Sequence, residues 1–530
     1  MPDSSQTPFL TRRALATGTF AAALGALAGC TTDHGARSGA SASAGSSVPT
    51  GPQSGASPTG AGWEQLRRNV SGSLALSGTS AYGQARLVEN PAYDAARPLA
   101  VLRVAGADDV ATALRFAADH AVPLAIRSGG HSYPGWSAGG GAVTGTPRAL
   151  VLDCRSLDQV AVDGATATVG AGAALAVVYD TLGARGRAVP AGSCATVGVA
   201  GLTQGGGVGV LTRALGLTCD AVRAMEVVTP EGRVRTVDAD HDPDLFWALR
   251  GGGGGQVGVV TRFTFATQPA PRLATFYLTW SLHDAAAVVD AWQRWAPGAD
   301  SRLWSTLKSL AGSAHPDGPV LSLSGTWTGP PASLPAQLAG LLRDTPPPSS
   351  RSTALREYRA AMAGYAGCAQ IPVARCHTGP GGALTREAFA ATSHVAYRTL
   401  PSAGITALLD RVQDAQDSGL HEAGASLDAL GGRVRDLDPA DTAFVHRQAL
   451  MTVQYTATYH DPDRADAARA YVRGLRTALT PWWGQGAYVN YADTAVQDYR
   501  RAYFGANAER LATVKSTYDP HRMFTQPQSW

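Results

Sequence analysis

The stretch Pro123-Leu-Ala-Ile-Arg-Ser-Gly-Gly-His-Ser-Tyr133 is the part of the sequence around which the chain is organised. Its apolar start predicts a short strand, which ends in the segment Arg127–His131. Glycines in that segment permit a positive φ and let the backbone approach a ligand closely. Successive backbone N–H groups in such a turn suit an anion such as a pyrophosphate. Taken alone, the stretch is equally compatible with a tight turn that carries a hydrogen-bonded histidine.

Length and composition narrow the class of protein. The chain has 530 residues, 45% of them hydrophobic and only 16% charged, with a formal net charge of +3. At roughly 150 residues per domain, this length predicts about two to four units. No basic block alternates with aromatic residues, so we expect no nucleic-acid partner.

The first 30 residues have the pattern of an export signal. Arg12 and Arg13 precede an apolar run, residues 14–28, that is too short to span a bilayer comfortably. The twin arginine is similar to a Tat signal. Leu27-Ala-Gly-Cys30 resembles a bacterial lipobox, in which Cys30 would carry a lipid; an ordinary signal peptide with a chance cysteine is the alternative. We therefore expect an exported protein, extracellular or attached to the outer face of the cell membrane, with a lipid on Cys30 as its one membrane link.

The next segment and the cysteines extend this prediction. Residues 31–62 are rich in Gly, Ser, Ala, Thr and Pro, which predicts a flexible tether. Cys368 and Cys376 lie close together in a Gly/Pro-rich loop, and an exported protein can keep disulfides, so we predict that these two are bonded. Because an odd number of cysteines follows the tether, at least one thiol has another role.

Three common catalytic patterns do not apply. The sequence Gly135-Trp-Ser-Ala-Gly139 has the spelling of a nucleophile elbow, but that turn needs a strand before it and a helix after it. The glycine run 251–255 lies between a predicted helix and a predicted strand, the reverse of a Rossmann loop. H-E-x-x-H, C-x-x-C and Walker A patterns are missing from the sequence, so no metal is expected.

Several segments together resemble one family. They are Arg127–His131, Cys194–Gly201 with Gly205–Gly207, Leu215–Asp220, and the late segments Tyr488–Tyr491, Tyr503–Gly505 and Tyr518–Pro520. They are similar to the vanillyl-alcohol-oxidase superfamily and most of all to its berberine-bridge-enzyme-like oxidases. The resemblance implies an α+β fold: a two-part PCMH-type FAD-binding domain over 63–271, an α+β substrate domain with an antiparallel sheet over 272–480, and a segment, 481–530, that returns to complete the FAD domain.

The resemblance implies a covalently bound FAD. His131 matches the histidine that is bonded to the 8α-methyl group of the flavin. Cys194 matches the position of a second bond, at flavin C6, in bicovalent members, although Ala195 stands where the family usually has proline. A small buried thiol in a glycine loop is the alternative for Cys194.

The rest of the FAD site is also assigned from the resemblance. The backbone amides of residues 128–130 would hold the pyrophosphate, and residues 198–209 with the loop near 255 would line the ring and ribityl chain. Val197 matches the position that controls access of oxygen, and valine there is typical of oxidases that reduce O₂ to H₂O₂. The full set is Arg127, Ser128, Gly129, Gly130, His131, Ser132, Cys194, Val197, Gly198, Gly201, Leu202, Gly205, Gly255, Val260 and Asn490.

Two catalytic residues are predicted. Tyr491 matches the family's catalytic tyrosine, which would take the substrate hydroxyl proton while hydride passes to flavin N5. A free phenol has a pKa near 10, so we expect a nearby cation or a hydrogen bond to lower it. Gln454 shares one face of the predicted strand 451–459 with Thr452 and Thr456. That face has no carboxylate, which favours the tyrosine as base.

The expected function is that of an exported flavin oxidase. Its substrate would be a small molecule or an oligosaccharide, oxidised at a sugar hydroxyl or at the alcohol of a secondary metabolite. Two alternatives remain at this point: a dehydrogenase that uses an acceptor other than O₂, and a lipoprotein that binds flavin or another ligand without catalysis.

Overall fold

The computed structural model describes residues 58–530. The predicted signal, Cys30 and most of the tether lie outside the described residues. The first described helix begins at Gly60, close to the predicted end of the tether at about residue 62, and the Thr59 hydroxyl accepts a hydrogen bond from the Gly62 N–H at 3.4 Å. Within residues 58–530, no helix combines the length and the apolarity needed to cross a membrane.

The first part of the chain forms two larger sheets and one two-stranded sheet, with helices around them. Its elements, in order, are α1 (Gly60–Arg68), β1 (Ser73–Leu76), α2 (Tyr82–Ala85), β2 (Ala100–Arg103), α3 (Ala107–Asp119), β3 (Leu124–Arg127), β4 (Leu150–Asp153), β5 (Val160–Asp163), β6 (Thr166–Gly170), α4 (Leu175–Ala184), β7 (Arg187–Ala188), α5 (Val199–Gln204), α6 (Thr212–Leu215), β8 (Val222–Val228), β9 (Val234–Val237), α7 (Pro243–Ala248), β10 (Val259–Ala266) and β11 (Gln268–Pro269). One larger sheet has the order β1-β2-β4-β3 with parallel pairing of β4 to β2 and to β3, and the other is antiparallel in the order β5-β6-β10-β8-β9. The two-stranded sheet pairs β11 with β7.

Two features of this part bear on the sequence predictions. In the sequence, Pro230-Glu-Gly232 between two apolar runs predicts a hairpin, and the antiparallel pairing of β8 with β9 confirms it. The run of small residues and glycines over 190–209 predicts a backbone that lies flat against something large, but the run includes helix α5, in which the Thr203 hydroxyl donates to the Val199 carbonyl one turn earlier.

The second part of the chain contains a larger sheet. Its elements are β12 (Leu273–Trp280), α8 (Ala285–Trp295), β13 (Leu303–Ala311), β14 (Val320–Trp327), α9 (Leu334–Arg343), β15 (Ser350–Arg356), α10 (Tyr358–Tyr365), β16 (Ala388–Ala396), α11 (Ser402–Gln413), β17 (Glu422–Ala429), β18 (Met451–Tyr459) and α12 (Ala465–Trp483). The seven strands are antiparallel in the order β15-β12-β14-β13-β17-β18-β16. The α+β class is therefore confirmed.

This sheet has one apolar and one polar face, because side chains alternate along a strand. On β18, Met451, Val453 and Tyr455 belong to the apolar core formed with helices α8, α9, α11 and α12. Thr452, Gln454 and Thr456 occupy the alternate positions, as predicted.

The last segment of the chain returns to the first part. It contains α13 (Tyr499–Phe504) and α14 (Ala508–Tyr518). Ala487, Phe504 and Leu511 are buried in the same apolar core as Leu102 and Val169 from the start of the chain. The first core is thus built from two segments that are far apart in the sequence.

Candidate active site

A cavity of about 1530 Å³ lies between the first part of the chain and the polar face of the large sheet. Pockets for one small ligand usually measure about 300–1,000 Å³, so this cavity can hold a dinucleotide together with a substrate. Three parts of the chain form its walls: the loops around residues 128–137 and 192–198, the strands of the large sheet, and the returning segment around 489–492 and 519–528.

Two of the cavity loops touch each other through their backbones. A Cβ atom on Gly129 would lie 2.2 Å from the Gly198 nitrogen, and one on Gly198 would lie 1.9 Å from the Ser128 hydroxyl. Contacts this short exclude side chains larger than hydrogen at both glycines. The Ser128 hydroxyl donates to the Ala171 carbonyl at 2.6 Å, which fixes the first loop on the underlying sheet.

This loop contact places His131 and Cys194 in the wall of the same cavity. The His131 Nε2 atom is 2.9 Å from the hydroxyl of Thr196, two residues after Cys194, and 4.0 Å from the Glu89 carboxylate. Cys194 is exposed to the cavity, whereas the other two unbonded cysteines in residues 58–530 are buried. Burial raises the pKa of one of them, Cys154, to about 12, which suppresses its thiolate.

The predicted disulfide is confirmed and lies behind the second loop. Cys368 and Cys376 are bonded, with their Cα atoms 6.0 Å apart. Their side chains pack against Ala195, the residue that follows Cys194.

Most of the predicted FAD-binding residues line the cavity. Those that do are Ser128, Gly129, Gly130, His131, Ser132, Cys194, Val197, Gly198, Gly201, Leu202, Gly255, Val260 and Asn490.

Arg127 is a correction to the predicted set. Its side chain is fully buried and does not line the cavity. The guanidinium donates to the carbonyls of Ser137 at 3.0 Å, Ala85 at 2.7 Å and Arg86 at 3.2 Å, and lies 3.6 Å from the Asp153 carboxylate. Arg127 therefore holds the loops behind the cavity wall.

Arg127→Met is expected to lower the free energy of unfolding by about 3–5 kcal/mol, because a buried charged group with several partners is lost. The measurement is the midpoint concentration of guanidinium chloride that unfolds the flavin-loaded protein. Arg103→Met is the control, since Arg103 also lies 3.6 Å from Asp153 but is 44% exposed, and its loss should cost about 0–1 kcal/mol. Equal midpoints for the two variants would contradict this role of Arg127.

Gly205 is a second correction. It does not line the cavity; a Cβ atom there would lie 2.0 Å from the Asn490 side-chain oxygen. Its lack of a side chain makes room for Asn490, whose amide donates to the Leu202 carbonyl at 2.9 Å and to the Tyr488 hydroxyl at 2.8 Å. The Tyr488 hydroxyl also accepts from the Gly207 N–H at 2.8 Å. These bonds join the returning segment to the glycine loop.

Tyr491 lies in the cavity wall, stacked on Tyr133 with ring centroids 5.3 Å apart and an interplanar angle of 7°. Burial raises the pKa of the Tyr491 phenol well above 10, and Tyr133, Asp428, Tyr488 and Cys194 each raise it further. Neither the cation nor the hydrogen bond that was expected to lower this pKa is among the causes of the shift. In this surrounding the phenol is neutral at physiological pH.

Gln454 lines the cavity but reaches Tyr491 indirectly. Its side-chain amide donates to the Tyr133 hydroxyl, and Tyr133 stacks on Tyr491. Gln454 thus helps to hold Tyr133 against Tyr491, and its catalytic role stays a prediction.

The sheet face adds residues that sequence reasoning missed. The strand next to β18 brings Asp428 into the cavity, close enough to affect Tyr491, although no carboxylate was expected on this face. Four more polar residues on the neighbouring strands line the cavity on the same face as Asp428: Tyr277, Ser324, Thr306 and Lys308. The cavity floor is thus a row of hydroxyl and charged groups.

The residues present fit FAD. Backbone N–H groups of the 128–130 loop border the cavity, as a pyrophosphate requires. Gln204 and Gln256 also line it, and within residues 58–530 their buried Oε1 atoms have no hydrogen-bond partner, which suits donors on a bound ligand. The glycine-lined wall leaves space for a planar ring system.

Comparisons with known proteins agree with this fit. One matching family model is described as FAD binding domain, over residues 98–238, and another as berberine and berberine like, over residues 487–529. The uncharacterized FAD-linked oxidoreductase YgaK of Bacillus subtilis (strain 168) is 33% identical over 429 residues, which is 79% of this chain and 88% of that protein. Chitooligosaccharide oxidase of Gibberella zeae is 30% identical over 440 residues, 79% of this chain and 84% of the relative.

The fold comparison leads to the same class. The solved structure of Physcomitrella patens BBE-like 1 matches with a TM-score of 0.78 at 27% identity, over 88% of this chain and 98% of that one. The fold and the cavity are those of an FAD-linked oxidoreductase. The chain belongs to the berberine-bridge-enzyme-like family of the vanillyl-alcohol-oxidase superfamily, as the resemblance implied.

Proposed function

We propose that this protein is an exported oxidase with FAD bonded to both His131 and Cys194, which oxidises an alcohol group of an oligosaccharide or a smaller molecule and reduces O₂ to H₂O₂. The observation that supports it most directly is the shared cavity of His131, Cys194 and Tyr491. Cys194 is close enough to Tyr491 to raise the pKa of its phenol, so the proposed second attachment residue and the proposed base are neighbours.

FAD, when bound, supplies the two-electron oxidation of the carbinol and the reduction of O₂. His131 and Cys194 would hold the flavin ring on the glycine loops. The backbone contact between Gly129 and Gly198 would keep these loops at a fixed separation. Two bonds would also prevent loss of the cofactor outside the cell.

The proton of the substrate hydroxyl requires an acceptor in the chain. A neutral Tyr491 phenol can take that proton at its oxygen only if it gives up its own proton at the same time. Asp428 is the carboxylate that raises the pKa of Tyr491. It is the proposed final acceptor of the proton, directly or through one water. Tyr133 and Gln454 would keep the phenol ring in place.

The cavity floor supports a polyhydroxylated substrate. Tyr277, Thr306 and Ser324 present hydroxyl groups on one face, beside Lys308 and Asp428. Hydroxyl and charged side chains can donate to and accept from many sugar hydroxyls. The similarity to a chitooligosaccharide oxidase favours the same class of substrate.

Export rests on residues 1–30 and O₂ as acceptor rests on Val197, which lines the cavity. A bonded Cys368–Cys376 pair is compatible with an oxidising compartment.

A panel of mono- and oligosaccharides and aromatic alcohols is expected to contain substrates that yield one H₂O₂ per alcohol oxidised. The measurement is peroxide-coupled absorbance together with anaerobic bleaching of the flavin by the same compounds. Bleaching without peroxide, followed by slow reoxidation in air, would instead indicate a dehydrogenase. Absence of bleaching by every compound would contradict the proposed substrate class.

A further inference from the structure

Three potential metal ligands lie at one edge of the large sheet. Glu387 immediately precedes β16, His421 immediately precedes β17, and His460 immediately follows β18. In the sheet, β18 lies between β17 and β16, and both pairings are antiparallel. The start of β16, the start of β17 and the end of β18 therefore meet at the same edge, which brings the three side chains together.

The distances are those of a nearly formed metal site. One ligand atom from each of Glu387, His421 and His460 lies within 4.8 Å of the other two. The two imidazole centroids are 4.1 Å apart, with an interplanar angle of 34°. His460 is exposed and the other two are half-buried, so small side-chain rotations can close the site around an ion.

We propose that Glu387, His421 and His460 bind one Zn²⁺ ion, with water as the fourth ligand. Two imidazoles and one carboxylate are a common ligand set for zinc, at about 2.0–2.2 Å from the metal. Imidazole donors disfavour Mg²⁺ and Ca²⁺, which prefer oxygen ligands. Because the ligands come from three distant segments, no local sequence motif marks the site.

The site also has a link to the cavity. Glu387 lines the cavity, whereas His421 and His460 do not. A bound Zn²⁺ would hold the Glu387 carboxylate at the sheet edge and offset its negative charge at the cavity rim. Zinc would therefore alter substrate binding. This effect on the substrate rests on the proposed function, whereas zinc binding itself does not.

A neighbouring pair offers a matched control. His315 lies 3.1 Å from the Glu422 carboxylate at the same edge of the sheet. It is a histidine beside a carboxylate, but it is outside the group of three. His283 is a second control, since it is exposed and follows β12, which β14 and β13 separate from β17 in the sheet.

The test is calorimetric titration of ZnCl₂ into full-length, flavin-loaded protein that has been treated with a chelator and desalted. We expect one Zn²⁺ per chain for the unmodified protein and for His315→Gln and His283→Gln. His460→Gln and Glu387→Gln should weaken binding by more than the roughly 10–100-fold typical of losing an outer-shell partner. Circular dichroism checks that each variant is folded.

Two outcomes would overturn the proposal. One is unsaturable binding to the unmodified protein, and the other is equal affinity of the unmodified protein and His460→Gln. A change of KM on zinc addition, with kcat constant, is expected for any substrate found, and an unchanged KM would remove the link to the cavity. Because the titration needs no turnover, its failure is distinct from failure of the proposed oxidase activity.

Discussion

Tyr491→Phe is expected to leave the protein folded and yellow but to lower kcat by about 10²–10⁴-fold, the usual contribution of a positioned acid or base. The substitution removes only the phenolic oxygen and keeps the ring that stacks on Tyr133. Because the proposed flavin attachment uses His131 and Cys194, peptide-bound flavin should be unchanged. Steady-state and anaerobic single-turnover kinetics with a substrate from the panel measure the effect.

Two further variants sharpen this test. Tyr518→Phe is the control, because the Tyr518 hydroxyl bonds to Asp242 at 3.2 Å and the residue does not line the cavity. Its kcat should equal that of the unmodified enzyme. Asp428→Asn should slow the same step as Tyr491→Phe if Asp428 receives the proton. Full activity of Tyr491→Phe would show that another group is the base.

Replacing both attachment residues, as His131→Ala with Cys194→Ser, is expected to abolish covalent flavin completely. Each single variant should retain flavin on the other residue, since the two lie on separate loops that face one cavity. The measurement is the absorbance of acid-precipitated protein, followed by mass mapping of flavin-bearing peptides. The unmodified protein should give a yellow pellet with flavin on both peptides.

The single variants decide the attachment even if the double variant folds poorly. His283→Ala is the control for loss of an exposed histidine and should keep both bonds. A colourless pellet from unmodified protein that was supplied with FAD would contradict covalent attachment. Flavin on the His131 peptide alone would restrict the proposal to one bond and leave Cys194 as a thiol in the cavity wall.

The fold was largely predictable because its signals are local. Strand, helix and turn patterns along the chain predicted the 230–232 hairpin, the strand Met451–Tyr459 and the Cys368–Cys376 bond, all of which the structure contains. The family resemblance supplied what local patterns could not, namely the FAD-binding class. Helix α5 was not predicted, because a helix this short, made of small residues and flanked by glycines, has no clear helical pattern in the sequence.

The site was less predictable because its chemistry depends on which strands are neighbours. Residues 425–429 alternate between apolar and polar side chains, with Leu427 in the core and Asp428 facing the cavity. That alternation could have identified the carboxylate, but sequence reasoning considered only strand 451–459. The environment of Tyr491 could not be inferred in the same way, since burial and contacts from distant segments raise its pKa.

The corrections at Arg127 and Gly205 have a common physical cause. Each lies within a motif whose neighbours line the cavity, but its own role is to support the wall from behind. A motif identifies a segment, whereas the direction of each side chain depends on the packing of other segments.

The shared core of the early and late segments has a consequence for how this protein forms. Leu102 and Leu511 belong to one core, yet the whole seven-stranded sheet lies between them in the chain. Joining such distant segments raises the contact order, which slows folding. Residues 63–271 should therefore not be a separable folding unit, and a fragment with these limits would expose part of its core to water. Because the cavity walls come from the early loops, the large sheet and the late segment, the cavity is complete only when all three are in place.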